Sequence, residues 1–127
     1  MKKIVRLVPL VLLYIVIFYF SVKKTSDSPS LFPNIDKLQH FIAYFVLGFT
    51  ISLSILNKHV LYWVLILSLI FGLSLEYIQG LLPYRDMSLA DGIANTIGLI
   101  SGTLFFNLFV KQIYKLLQLS KLDRIYN

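Results

Sequence analysis

His40, Glu76, Arg85 and Asp91 are the residues in this sequence best suited to chemistry, and each stands inside or beside a long apolar run. An ionisable group at membrane depth is costly and faces a bundle interior or a watery cavity, so each needs a reason for being there. Glu76 has two readings. It is either a structural carboxylate paired with Lys37 or Arg85, or a general base or ligand-binding group. His40 is a candidate for general acid/base work, because an unperturbed histidine side chain titrates near ~6.5 and is easily tuned. One histidine with carboxylates and no cysteine is a poor donor set for zinc, so no metal or cofactor is expected. A hard cation bridged to a phosphate would need only carboxylates and waters, and stays open on donor chemistry alone. Arg85 is the natural partner for a phosphate, pyrophosphate or carboxylate, because guanidinium binds such groups in a bidentate way. Its structural alternative is an interfacial arginine neutralised by Asp86 or Asp91. Ser88 could complete a hydrolase triad with His40 and an aspartate. No nucleophile-elbow context surrounds it, and Ser88-Leu89-Ala90-Asp91 is better explained as a capping pattern that opens a helix.

The elements that must carry these groups follow from hydropathy. Apolar residues make up 57% of the 127, charged residues 14%, and mean hydropathy is +0.77. So small a soluble domain could not hide that much apolar surface. The composition excludes a soluble globular domain, a disordered chain and a nucleic-acid reader. Four runs approach the roughly 20 apolar residues that a helical span needs: 4–22, 38–56, 60–82 and 93–110. Backbone in lipid must bond to itself, and the alternation of a membrane barrel is absent. The expected fold is therefore all-α, a polytopic bundle of four transmembrane helices in one domain, with a basic amphipathic tail over 111–127. The first run has a basic start, but no A-x-A-like site follows it, so it reads as a retained helix rather than a signal peptide.

Of the twelve Lys and Arg, Lys2, Lys3, Arg6, Lys58, Lys111, Lys115, Lys121 and Arg124 fall on the side of the termini. Lys23, Lys24, Lys37 and Arg85 fall on the other. This bias predicts cytoplasmic termini. The connection at Asn57 to His59 is a tight turn, and Thr25 to Asn34 reads as an exposed loop.

On that topology the polar groups collect in one layer near the outer interface. Asp36, His40 and Tyr44 share a face of the second helix, and Gly72, Glu76 and Gln79 a face of the third. Asp91, Asn95, Gly98 and Gly102 share a face of the fourth. Turning the three faces together is the simplest way to bury them. Gly98 and Gly102 form a G-x-x-x-G step that allows close helix approach.

The ordered set Asp36-Lys37-x-x-His40-Phe41-x-x-Tyr44, Glu76-x-x-Gln79 and Arg85-x-x-Ser88-x-x-Asp91-x-x-x-Asn95-x-x-Gly98 resembles the VanZ-like family, over about Asp36 to Gly102. The resemblance implies a small bacterial protein of the cytoplasmic membrane and a link to glycopeptide resistance, chiefly to teicoplanin. It implies no particular reaction. The expected function is binding or modification of an anionic amphiphilic envelope ligand, such as a lipid-linked or cell-wall precursor. Arg85 would hold the anion, and His40 and Glu76 would handle protons. Asp36, Lys37, Tyr44, Gln79, Ser88, Asp91 and Asn95 would line the site. The alternative is a non-catalytic scaffold or partner-binding protein in which the polar layer is structural. On either reading the lipid bilayer is an expected partner.

Overall fold

The computed structural model describes residues 2–24 and 33–126, with side chains placed over 6–24 and 33–118. Most of the expected 25–34 loop therefore lies outside the described residues, as do the side chains of Lys2, Lys3, Lys121 and Arg124. Among the described residues the chain is all-α: α1 (Lys2–Val22), α2 (Ile35–Ser54), α3 (Lys58–Leu81) and α4 (Leu89–Phe105). A π-helical turn over Phe106–Val110 then leads directly into α5 (Lys111–Tyr126).

Local chemistry sets the ends of these helices. Asn57 caps α3 by accepting from the His59 and Val60 backbone N–H groups, at 2.9 and 3.2 Å. Ser88 caps α4 by accepting from Asp91 N–H at 3.3 Å, which satisfies one of the free donors at a helix start. α2 begins at Ile35, three residues before the expected apolar run, so Asp36 and Lys37 lie within its first turn. Pro9 sits inside α1 and leaves a carbonyl of the preceding turn without its helical donor. One residue on, the Arg6 carbonyl accepts from the Ser54 hydroxyl of α2 at 2.9 Å.

The helices alternate in direction. Arg6 of α1 meets Ser54 at the end of α2. Tyr14 and Ser21 of α1 meet Ser68 and Gln79 of α3 in ascending order, so α1 and α3 run parallel. α2 and α4 also run parallel, and far more closely. A Cβ on Gly98 would strike the Phe41 carbonyl, and one on Gly102 the Phe45 carbonyl. The G-x-x-x-G step therefore seats the backbone of α4 directly on that of α2. Only glycine, with no Cβ, permits that approach.

The buried core is small. It runs through Leu47, Ile51 and Tyr44 of α2, Leu75 of α3 and Leu99 of α4, with Leu10 and Ile17 from α1. Large apolar side chains cover the outside: Phe20, Trp63, Leu73 and Ile93 are all about 60% exposed or more. An apolar exterior of this extent is far beyond what a soluble monomer shows. Two helical stretches, Lys58–Leu81 and Leu89–Gln118, are long and apolar enough to cross a membrane. The apolar part of α1, Arg6–Val22, is shorter, and α2 opens with Asp36, Lys37, Gln39 and His40 in its first two turns.

Candidate functional site

The alternating topology brings the C-terminal ends of α1 and α3 to the N-terminal ends of α2 and α4. At that end His40, Glu76, Asp91 and Asn95 come together. His40 is the centre. Its Nδ1 donates to Asn95 Oδ1 at 3.1 Å, and the Asn95 amide donates in turn to Glu76 Oε1 at 3.3 Å. The ring also lies 3.6 Å from Glu76 Oε1 and 3.7 Å from Asp91 Oδ2. Glu76 and Asn95 are 3% and 4% exposed, and Asp91 7%. Buried carboxylates need compensating charge or hydrogen-bond donors, and the His40 ring stands between these two.

Lys37 closes the aqueous mouth of the cluster. It pairs with Asp36 at 3.0 Å and with Asp91 at 3.6 Å. The ammonium holds the Asp36 carboxyl below its usual range, chiefly through their hydrogen bond, and Asp36 lifts Lys37 in return. Neither Lys37 nor Arg85 is the partner of Glu76, as the structural reading of that residue had it. Lys37 stands at the mouth, where the first turn of α4 presents Asp91, while Glu76 lies deeper and meets His40.

Arg85 does not pair with Asp86 or Asp91. Its Nη2 donates to the Phe20 carbonyl at 2.6 Å. Beside it, Gln79 donates to the Ser21 carbonyl at 3.0 Å and Tyr84 to the Val22 carbonyl at 3.1 Å. The last carbonyls of a helix have no donors of their own. Gln79, Tyr84 and Arg85 supply them for α1 and so fasten it to the end of α3 and to the α3–α4 connection. Two of the expected site residues, Gln79 and Arg85, thus serve the end of α1, and Ser88 serves the start of α4. Tyr44 is buried behind Gly72, and its hydroxyl has no hydrogen-bond partner.

Between α1, α2 and α3 lies a cavity of about 450 Å³ that reaches this cluster. Leu13, Val16, Ile17 and Phe20 of α1 and Val46 of α2 form an apolar wall. His40, Glu76, Gln79, Arg85 and Asn95 supply a polar end. Gln39 also lines it; its position three residues after Asp36 on the same helix carries the same helical signal. Tyr84 follows Pro83 in a connection with no periodic pattern, and nothing in the sequence marked it.

The VanZ/LLP1 family model matches residues 1–110. The chain belongs to the VanZ/LLP1 family. No curated protein and no solved structure matches it. Membership and the two long apolar helices together indicate a membrane protein. Within this VanZ/LLP1 chain, the matched segment contains every one of the polar groups just described and stops where α5 begins.

Proposed function

We propose that this protein is a four-span protein of the bacterial cytoplasmic membrane, with both termini cytoplasmic. It binds, and through His40 and Glu76 modifies, an anionic amphiphile of the cell envelope from the outer leaflet. The two-sided cavity carries this reading. Its apolar wall suits a lipid-like tail, and its polar end suits a head group. Arg85 has a buried Nε without a partner there, so its guanidinium keeps a donor for an anion while Nη2 holds α1. Cell-wall precursors and lipoglycopeptides both have this amphiphilic, anionic character. A role in teicoplanin resistance follows as the family-level expectation.

The topology rests on α1 and α2 crossing alongside the two longer helices, and on the excess of Lys and Arg at the end with the termini. The chain has no cysteine, which makes single substitutions clean reporters. Asp86→Cys in intact cells is expected to react with a membrane-impermeant maleimide, and Lys58→Cys to react only after lysis. The reverse pattern would invert the protein.

Filling the cavity tests the function. Ala43 lines it, and Ala43→Phe adds bulk where the tail would sit. Expressed at the wild-type membrane level in a susceptible bacterium, the wild type is expected to raise teicoplanin resistance and Ala43→Phe to lose that gain. Equal resistance from the two would remove the cavity from the function.

One observation favours the scaffold reading. Gln79, Tyr84 and Arg85 are all engaged on α1 carbonyls, so part of the polar layer is structural. On that reading resistance tracks the amount of folded protein and nothing else.

A further inference from the structure

The His40 cluster has one contact that its hydrogen bonds do not explain. Asn95 Oδ1 can only accept, so His40 Nδ1 carries the proton in their 3.1 Å bond. In the neutral ring, Nε2 then presents a lone pair to Asp91 Oδ2, 3.7 Å away. Lone pair against carboxylate is repulsive. Something positive belongs in the gap, either a second proton on the ring or a cation. A proton would draw the pair to a charge-assisted hydrogen bond of roughly 2.7–2.9 Å. The observed separation is too long for that bond. It falls within the range for two ligands on one six-coordinate cation: donors about 2.2 Å from the metal lie about 3.1 Å apart when adjacent and about 4.4 Å apart when opposite.

Three further features agree. One donor atom from each of His40, Glu76 and Asp91 lies within 4.8 Å of the others. Glu76 Oε2 and Asp91 Oδ1 are buried without a hydrogen-bond partner; Lys37 approaches the latter only to 3.6 Å. Finally, a metal-binding histidine normally donates its other N–H to an oxygen that fixes its tautomer, and Asn95 does this while also orienting Glu76.

We propose that His40, Glu76 and Asp91 form a binding site for a divalent first-row metal ion. One imidazole and two carboxylates, with no sulfur, favour Mn²⁺ by donor preference. In this site His40 is a ligand rather than a proton carrier, and the cation supplies a charge that could bridge to an anionic head group. The proposal rests on reading this end of the bundle as a ligand site. Its test needs neither an amphiphile nor a resistance phenotype, so the two readings can fail separately.

The full chain, purified in detergent and stripped with EDTA, is titrated with Mn²⁺, and the free ion is followed by its paramagnetic resonance signal. One ion bound per chain at low-micromolar metal is expected. His40→Gln and Asp91→Asn should each weaken binding by about tenfold or more. Either variant could fail to fold, so Lys37→Ala is measured beside them. Lys37 stands partly exposed at the mouth, and its removal frees Asp91 from a competing positive charge. A metal site predicts tighter Mn²⁺ binding in Lys37→Ala, which a purely structural ion-pair network does not. Absence of stoichiometric binding by the wild type overturns the proposal. So does binding that is unchanged in all three variants.

Discussion

Gly102→Ala is expected to destabilise the bundle sharply, while Gly92→Ala, ten residues earlier in the same helix, leaves it intact. The two substitutions add the same methyl group to the same kind of backbone. At Gly102 that methyl would collide with the Phe45 carbonyl and lie 3.0 Å from the Phe49 nitrogen. Both are backbone atoms of α2 and cannot rotate away, so the helices must separate. At Gly92 the nearest atom is Leu73 Cδ2 at 3.8 Å, an ordinary contact. Overpacking a close contact typically costs about 1–3 kcal/mol, and the α2–α4 seam has three such points in register: Gly98 against Phe41, Gly102 against Phe45, and Gly48 against the Leu99 carbonyl. Alanine in an exposed helix is otherwise worth about 1 kcal/mol over glycine, so Gly92→Ala should unfold at or above the wild-type temperature in detergent. Equal losses at the two positions would mean that the close α2–α4 contact does not hold the fold together. Because His40 rides on α2 and Asn95 on α4, loosening this seam also pulls the polar cluster apart.

Glu76→Gln separates function from folding. The substitution keeps the shape and keeps an oxygen to accept from Asn95, but removes one of two buried carboxylates beside His40. Burying an incompletely compensated charge is costly, and Glu76 Oε2 is buried without a hydrogen-bond partner, so a neutral isostere relieves that cost. Here His40 keeps its Asn95 partner and Lys37 still faces Asp91. The variant is therefore expected to reach the membrane at the wild-type level, to unfold at the wild-type temperature or higher, and to return teicoplanin resistance to the empty-vector level. Stability gained with activity lost marks a carboxylate kept for function. If Glu76→Gln instead lowers the unfolding temperature and the phenotype falls with the amount of protein, the carboxylate is scaffolding. Unchanged resistance would make Glu76 dispensable.

Much of the arrangement was legible in the sequence, and for a definite reason. Helical periodicity assigns each residue to a face, so Asp36 and His40, Glu76 and Gln79, and Asp91 and Asn95 could be placed on single stripes before any tertiary information. Hydropathy fixed the all-α class, and alternation of the helices then put those stripes at one end. Ser88 declared itself as a cap through its spacing to Asp91, and Gly98 and Gly102 declared a close approach through theirs. The ordered motifs were enough to point to the family.

What periodicity could not supply was the partner of each side chain. A face tells which way a residue looks, but not which helix stands opposite or how far along it the contact falls. Arginine and lysine reach far enough to touch several candidates, so Arg85 could be imagined against an anion, Asp86, Asp91 or Glu76. Only the packed structure placed it on the Phe20 carbonyl, because the end of α1 has unsatisfied carbonyls and no donors of its own. The same holds for Lys37, which the start of α4 draws to Asp91, and for Tyr84, whose role comes from a loop path that no pattern encodes. The contact of α2 with α4, two helices separated by a third in the chain, was likewise decided in three dimensions. There the absence of three Cβ atoms lets one backbone rest on another and sets the distances on which the His40 cluster depends.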